Sequence, residues 1–478
     1  MVAKVGVRVA IVAFVVVLAG VAAALIALSG HPTPAPPAGA PAVSCASSTA
    51  GAGAPGAPNS TALGNWTTYH GSNARTGDVA TAGSIGAVHA AWSRPIALDG
   101  QVYAEPLVCG ATVFVATENN TVYAINDTNG TILWKTHVGT PVEASTLPCG
   151  DIGPVSGITG TPVIDVATRT LYAVAFLPPA VHELFGLDTA TGAVTSQVNV
   201  TPPGSTANVE QQRGALLLLG DEVYVPYGGL YGDCGPYHGW VVGASTDGSS
   251  ALLSYQVPTG RAGGIWAPGG IALGPNGNLY VTTGNSDATA TFDYGDAVIE
   301  LSPGLTEVSY FAPTNWAQLN ANDIDLGSLA PTVLANGDIF QVGKAGVGYL
   351  LSGTDLGGIG GSVANQSVCS GAYGGTARVG SLVLVPCTNG LVAVSVNAES
   401  FSTDWTTAPF STGSPIVTGS VAWTIDENDA RLLGFNLTTG SQLFSLPLGA
   451  ANHFCTPAAT PGELFVTGGD QLFAFDLS

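Results

Sequence analysis

Charge is what this 478-residue sequence has least of: Asp, Glu, Lys and Arg together make up 9% of it, and only 11 residues are Lys or Arg. In a chain of net charge −21, so few cations cannot build a basic face that follows a phosphate backbone, which excludes nucleic acid as a partner class. The same shortage of Glu, Lys and Arg removes long amphipathic helices, whose solvent faces are made of them. What is abundant instead is Gly, 65 residues of it. Short strands joined by many turns follow, and an all-β architecture is expected. The seven cysteines, Cys45, Cys109, Cys149, Cys234, Cys369, Cys387 and Cys455, are scattered, as structural disulfides in an oxidising compartment are. Sequence proximity pairs Cys369 with Cys387 and Cys109 with Cys149, and the odd count leaves Cys45 over.

Long apolar runs are absent except for one. Residues 11–28 are almost uninterruptedly apolar, extended upstream with Lys4 and Arg8 and broken by Ser29 and Gly30. The run is long enough to span a bilayer. The next base is Arg75, so the positive-inside bias places the N-terminus in the cytoplasm and the remainder outside. We expect an uncleaved signal anchor at 1–29, a single-pass transmembrane helix in the cell membrane; a cleaved signal peptide is the alternative. Residues 30–65 are Pro, Ala, Gly and Ser with hardly any charge and form a tether holding the folded part off the membrane. That folded part, 66–478, is expected to be extracytoplasmic.

Residues 105–138 form a complete unit: Val113 to Ala116 and Thr121 to Ile125 are β-rich runs either side of Glu118-Asn119-Asn120, and Ile132 to Lys135 follows a second turn. Similar units recur roughly every 40 to 50 residues, the period of a propeller or solenoid. Inner-strand candidates begin at Thr161, Gly214, Gly270, Pro331, Gly375, Pro415 and Thr456. The last unit has only three strands before Ser478, and residues 90–96 form a strand without a unit of its own. That strand is expected to close the ring from the N-terminal side. The result is an eight-bladed β-propeller of four-stranded antiparallel blades; seven blades stay open because the sixth unit is weakly marked.

Ala124, Asn126, Gly130 and Trp134 fall in the spacing Ala-x-Asn-x-x-x-Gly-x-x-x-Trp, which resembles the tryptophan-docking repeat of pyrroloquinoline quinone (PQQ) propellers. Asp188 with Gly192, and Asn436 with Gly440, keep the turn and lose the Trp. Asn or Asp bonds its own turn, Gly takes the positive-φ place and the ring packs between blades. The region 66–478 is thus similar to PQQ-like repeat proteins of the quinoprotein alcohol dehydrogenase fold. The resemblance implies the fold and offers two functions. One is a ligand- or protein-binding scaffold at the cell surface, with a protein or glycan partner, and this non-enzymatic reading is the preferred one. The other is a PQQ-dependent dehydrogenase of alcohols or sugars, with calcium. Such dehydrogenases generally hold the quinone against a disulfide of two adjacent cysteines, which this sequence lacks.

For an anionic cofactor, Arg213, Arg261, Lys344 and Arg378 stand at or just before inner strands of successive units, where a ring of bases would meet the three carboxylates of PQQ; ion pairs between blades are the bland reading. Trp266 offers a stacking face, or else interblade packing. Asn285, Asp287, Asp293 and Asp296 concentrate oxygen ligands for a hard cation in one loop, and the same residues suit ordinary turns. The long loop around Cys234 and His238 reads as a disulfide-held surface loop, and eight Asn-x-Ser/Thr sequons support an outside location weakly.

Overall fold

The structure, a computed structural model, describes residues 64–81 and 84–478. The expected membrane segment at 1–29, the tether up to residue 63 and Cys45 lie outside the described residues. No helix among the described residues is long and apolar enough to cross a membrane.

Eight antiparallel blades form the propeller. The first runs Leu107–Cys109, Thr112–Thr117, Thr121–Asn126 and Ile132–His137 in spatial order from the axis outward. The inner strands of the next six are Val163–Asp165, Leu217–Leu219, Ala272–Leu273, Thr332–Val333, Ala377–Val379 and Ile416–Thr418. The eighth blade takes Ala458–Thr460, Glu463–Gly468 and Gln471–Leu477 from the C-terminus and Val88–Ala90 from the N-terminal side, with Val88 opposite Leu477. The weakly marked sixth unit is a full blade, so the count is eight. Middle strands such as Thr112–Thr117 are buried on both faces because a neighbouring blade covers each, whereas the outer Ile132–His137 is mostly exposed or half-buried. Their sequences accordingly read as continuous apolar runs rather than alternating ones.

The closing strand differs in detail from the expected 90–96. Pairing stops after Ala90 and resumes at Ile96–Ala97, which lie against Leu472 and Gln471. Pro95 has no N–H to donate, and the intervening bend turns Trp92 inward. Trp92 Nε1 donates to Asp127 O, and Gly130 lies under its ring. The same arrangement recurs twice. Trp134 bonds Thr189 O and covers Gly192; Trp405 bonds Leu437 O and covers Gly440. Each Trp therefore docks on the turn glycine of the following blade. The turns at Gly192 and Gly440, which lack a Trp of their own, receive it from the blade before.

The axis of so wide a ring cannot be filled by eight inner strands alone. Residues 66–79 fill it. Trp66 pairs with Val108, Thr67 O accepts from Ile164 N, Asn73 bonds Leu218 and Leu273, and Asp78–Val79 runs parallel to Ile416–Thr418. Arg75 is wholly buried and donates to Ile271 O, Leu216 O, Thr68 Oγ1 and Tyr69 O. His70, pushed down to about 3 by burial and so neutral, sits between Thr376 O and Thr456 Oγ1. Glu105 accepts from Trp66 Nε1 and His70 N, and burial raises its carboxyl well above the usual range.

The Trp docks give a direct test. Gly192 has φ +70 and an added Cβ would lie 2.6 Å from Trp134; Gly220 has φ +60 and open space around it. Gly220→Ala should cost about 1 kcal/mol from backbone strain. Gly192→Ala should cost about 2 to 4 kcal/mol, strain and overpacking together, in urea unfolding. Equal costs would show that the docks are loosely packed.

Candidate functional site

Two faces of the ring differ. One carries the interblade connections and the turns between second and third strands of each blade; the other carries the remaining turns. The axial segment fills the channel from the latter, since Gly64 touches Pro461 and Asn65 bonds Gly110 N. On the former face the mouth of the channel, here the funnel, is packed with aromatic and charged side chains.

The funnel is lined from the connections that lead into the inner strands. Tyr103 precedes Leu107, Arg213 precedes Leu217, Tyr373 precedes Ala377 and Phe454 precedes Ala458, all at the same offset. Trp266 comes from the connection into the fourth blade, and Lys344 from a turn of the fifth. The rings form a shelf: Tyr373 stacks on Phe454 at 5.8 Å and 9°, Trp266 lies 6.1 Å from Phe454 and 6.4 Å from Tyr373, and His453 bridges Tyr103 and Phe454 at 5.1 and 4.8 Å. A cation stands at each end. Arg213 lies 5.8 Å from the Tyr103 ring and 5.9 Å from the Phe454 ring, and Lys344 is 5.8 Å from Trp266.

The two cations are in opposite electrostatic states. Lys344 is paired, 2.8 Å from Asp323 and 3.0 Å from Asp325, and although burial opposes its charge these carboxylates hold its ammonium above the ordinary range. Asp325 also accepts from Trp266 Nε1 and Asn285 N. Arg213 is 6% exposed, makes no ion pair, and its Nε and Nη2 have no partner. Those two nitrogens form one edge of the guanidinium, the edge that matches two oxygens of a carboxylate or phosphate. Burying such a group unpartnered carries a heavy desolvation cost.

Carboxyls surround Arg213 without touching it. Glu118 Oε2 accepts from Gly157 N and Thr159 Oγ1, while its Oε1 has no partner. Glu427 accepts from Phe454 N. Burial pushes both up to about 7. Cys455, the free cysteine among the described residues, donates to Asn452 O and is pushed up to about 12 by burial.

Of the residues singled out in sequence, Arg213, Lys344 and Trp266 share this funnel. Arg261 and Arg378 do not. Arg261 clamps the rim, bonding Asp287, Gly235 O and Asp233 O with its guanidinium 5.6 Å from the Tyr237 ring. Arg378 lies within its inner strand rather than before it; its backbone N bonds Thr76 O, beside the far end of the axial segment. The loop acids disperse. Asp287 holds Arg261, Asp293 accepts from Ser286 Oγ, Asp296 accepts from Leu326 N, and Asn285 points its backbone N at Asp325. No three His, Cys, Asp or Glu among the described residues are grouped to hold a metal ion. His238 is half-buried, with its Nδ1 3.3 Å from Thr259 Oγ1.

Cys369–Cys387 pairs as expected, and its loop delivers Tyr373 to the shelf. The proposed Cys109–Cys149 pair is corrected: Cys149 bonds Cys234, joining two funnel-face loops, whereas Cys109 ends an inner strand on the other side and is disulfide-bonded elsewhere.

Sequence reasoning missed Tyr103, Tyr373, Phe454, Glu118 and Glu427. The fixed offset before the inner strands was the available signal for Tyr103, Tyr373 and Phe454, and the shared turn after the second strand for Glu118 and Glu427.

Residues 89–228 match the family model of the outer membrane protein assembly factor BamB. No curated protein matches in sequence. Among solved structures, the chain is similar to the quinohemoprotein alcohol dehydrogenase ADHIIG from Pseudomonas putida HK5 (14% identity, 89% of this chain and 83% of that one, TM-score 0.70). It is also similar to a europium-containing methanol dehydrogenase (16%, 87% and 98%, 0.65) and to BamB from Moraxella catarrhalis (14%, 82% and 98%, 0.54). The chain is an eight-bladed β-propeller with the fold of these proteins, and part of it, residues 89–228, is similar in sequence to the BamB family model.

Buried groups set the pH response. Glu118 and Glu427 at about 7 and Glu210 at about 8, all raised by burial from 4.5, favour the folded state until the pH passes those values. His70 and His182 at about 3 and His453 at about 4, all lowered by burial from 6.5, disfavour it as the pH falls below 6.5. The two sets oppose each other in mild acid. Above pH 6.5 only the carboxyls act, so the melting temperature should fall from there to about pH 8. A Glu118→Gln, Glu210→Gln, Glu427→Gln triple variant should flatten that limb; an unchanged limb would contradict the assignment.

Proposed function

We propose that the protein is a membrane-anchored, extracytoplasmic binding scaffold at the cell surface whose axial funnel takes a flat anionic ligand. The ligand's carboxylate lies on the free edge of Arg213 and its ring on the shelf of Tyr103, Phe454, Tyr373 and Trp266. The unpartnered Nε and Nη2 of a guanidinium that is 6% exposed carry this reading. The basic-flanked apolar run at 11–28 supports the anchor, and the disulfides, Cys149–Cys234 and Cys369–Cys387 among them, support an oxidising compartment.

A second reading is favoured by one observation, the convergence of Arg213, Lys344 and Trp266 in a fold shared with alcohol dehydrogenases. It makes the protein a PQQ-dependent dehydrogenase of an alcohol or sugar. The funnel fits the quinone: Arg213 would hold a carboxylate, the shelf would stack on the ring system, and Lys344 would face its far edge. Bound PQQ would supply a two-electron acceptor. The residues fit calcium poorly, since Asn285, Asp287, Asp293 and Asp296 each serve a different partner, and no step is derived through an ion.

PQQ is the probe for both. Titrated into the purified full chain, it should bind and quench the shelf tryptophan fluorescence with a Kd in the micromolar range. Arg213→Gln should weaken it at least tenfold, about 1.4 kcal/mol, and Arg213→Lys by an intermediate factor because the charge stays and the fork goes. Dye reduction with alcohols or aldoses in the presence of calcium would move the assignment to the dehydrogenase. Absence of binding at millimolar quinone would refute both readings.

A further inference from the structure

We propose that capture of a carboxylate on Arg213 is coupled to proton uptake by Glu118 and Glu427, so that the funnel fills in acid and empties as the pH rises. The inference rests on the funnel being a carboxylate site and concerns its regulation.

The geometry carries it. Glu118 comes from a turn of the first blade and Glu427 from the matching turn of the seventh; Glu427 holds the backbone of Phe454, whose ring lies 5.9 Å from Arg213, and Glu118 holds Thr159, next to the Gly160 that packs on Gln212 beside Arg213. Neither carboxyl reaches the guanidinium within ion-pair distance. Glu118 Oε2 is tied to Gly157 N and Thr159 Oγ1, and Glu427 is tied to Phe454 N. They are nevertheless close enough to feel it: Arg213 pulls down the proton affinity of each, against the larger opposing effect of burial. The groups facing Arg213 from all sides are Tyr69 on the axial segment, Tyr103, Glu118, Glu427, Cys455, and His453 with Asp151 behind it. Tyr69 and Tyr103 are raised, Cys455 stands at about 12 and His453 at about 4. Around neutrality the local charge is therefore decided by the two carboxyls, both at about 7.

When both are ionised, the single cation is outnumbered, and an arriving carboxylate meets a pocket of net charge −1. When both are protonated the pocket carries +1. At short range and low dielectric that difference decides whether the site accepts an anion. A bound carboxylate on Arg213 in turn raises the proton affinity of both carboxyls, so ligand and proton bind cooperatively, as linkage requires. Glu118 Oε1, buried and without a partner, is the atom placed to take the proton.

The test uses PQQ as the carboxylate probe, whose own carboxyl groups are ionised across the range. Its Kd is measured calorimetrically on the full chain from pH 5 to 9, in buffers of low and high ionisation enthalpy. The expected result is net uptake of about one proton near pH 7, and a Kd that rises about tenfold per pH unit between 7 and 9. Glu118→Gln and Glu427→Gln should each reduce the slope and tighten binding at pH 8, and the double variant should abolish the uptake. Glu399→Gln, at an exposed turn, should retain the slope. Equal Kd values from pH 5 to 9 without buffer-dependent heat would overturn the coupling while leaving the carboxylate site intact. Absence of PQQ binding at every pH would remove the carboxylate site, and the coupling with it. The wild-type buffer comparison reads the proton directly, so the result stands even if a variant fails to fold.

Discussion

The structure depends on how the axis of an eight-bladed ring is filled. Eight short inner strands leave a channel too wide for their own side chains to close, and residues 66–79 enter it. The segment is held by buried polar groups rather than by apolar packing alone. The Arg75 guanidinium is satisfied by three backbone carbonyls and a hydroxyl, and the neutral His70 ring by Thr376 and Thr456. Because Ile271, Leu216, Thr376 and Thr456 belong to different blades, the segment fixes those blades relative to one another. It also makes one face of the channel blind. A through-channel would hydrate Arg213; the packed mouth keeps it 6% exposed with an unmet hydrogen-bonding edge.

From that follows the funnel's division of labour. Near the fifth blade, Lys344 is neutralised by Asp323 and Asp325, and that end is electrostatically complete. Near the third, Arg213 has aromatic rings on two sides and carboxyls that approach without pairing. On the proposed reading, this incomplete, desolvated cation is where a carboxylate is recognised, in a protein whose negative field disfavours anions elsewhere. The disulfides brace this face. Cys149–Cys234 ties the connection after the first blade to a loop of the third, and Cys369–Cys387 fixes the loop that carries Tyr373.

Much of the fold was legible because propeller blades are local. The repeat period, the three-stranded last unit and the orphan N-terminal strand together required ring closure, and the structure closes that way. The docking motif was legible at Trp134 but not at Trp92 or Trp405, because the Trp and the Gly it covers sit in successive blades and a motif scanned within one blade separates them. The site was half legible. Residue type picked Arg213, Lys344 and Trp266; the offset before an inner strand marks Tyr103, Arg213, Tyr373 and Phe454, while Trp266 and Lys344 come from a longer connection and a turn. Arg378, inside its inner strand and past the offset position held by Tyr373, falls beside Thr76 instead. Disulfide pairing by proximity failed for Cys109 because the two ends of one blade's chain reach opposite faces. The Asp-rich loop looked like a cation site because its acids are close in sequence, while in space each is drawn to a different donor.

The central claim is that Arg213 waits for a carboxylate. A crystal structure of the protein grown with PQQ at mildly acidic pH tests it most directly. The account predicts a carboxylate of the quinone within hydrogen-bonding distance of both Nε and Nη2 of Arg213, with the ring system against Phe454 and Trp266. A quinone seated elsewhere, or an Arg213 edge turned instead onto Glu118 or Glu427, would contradict it.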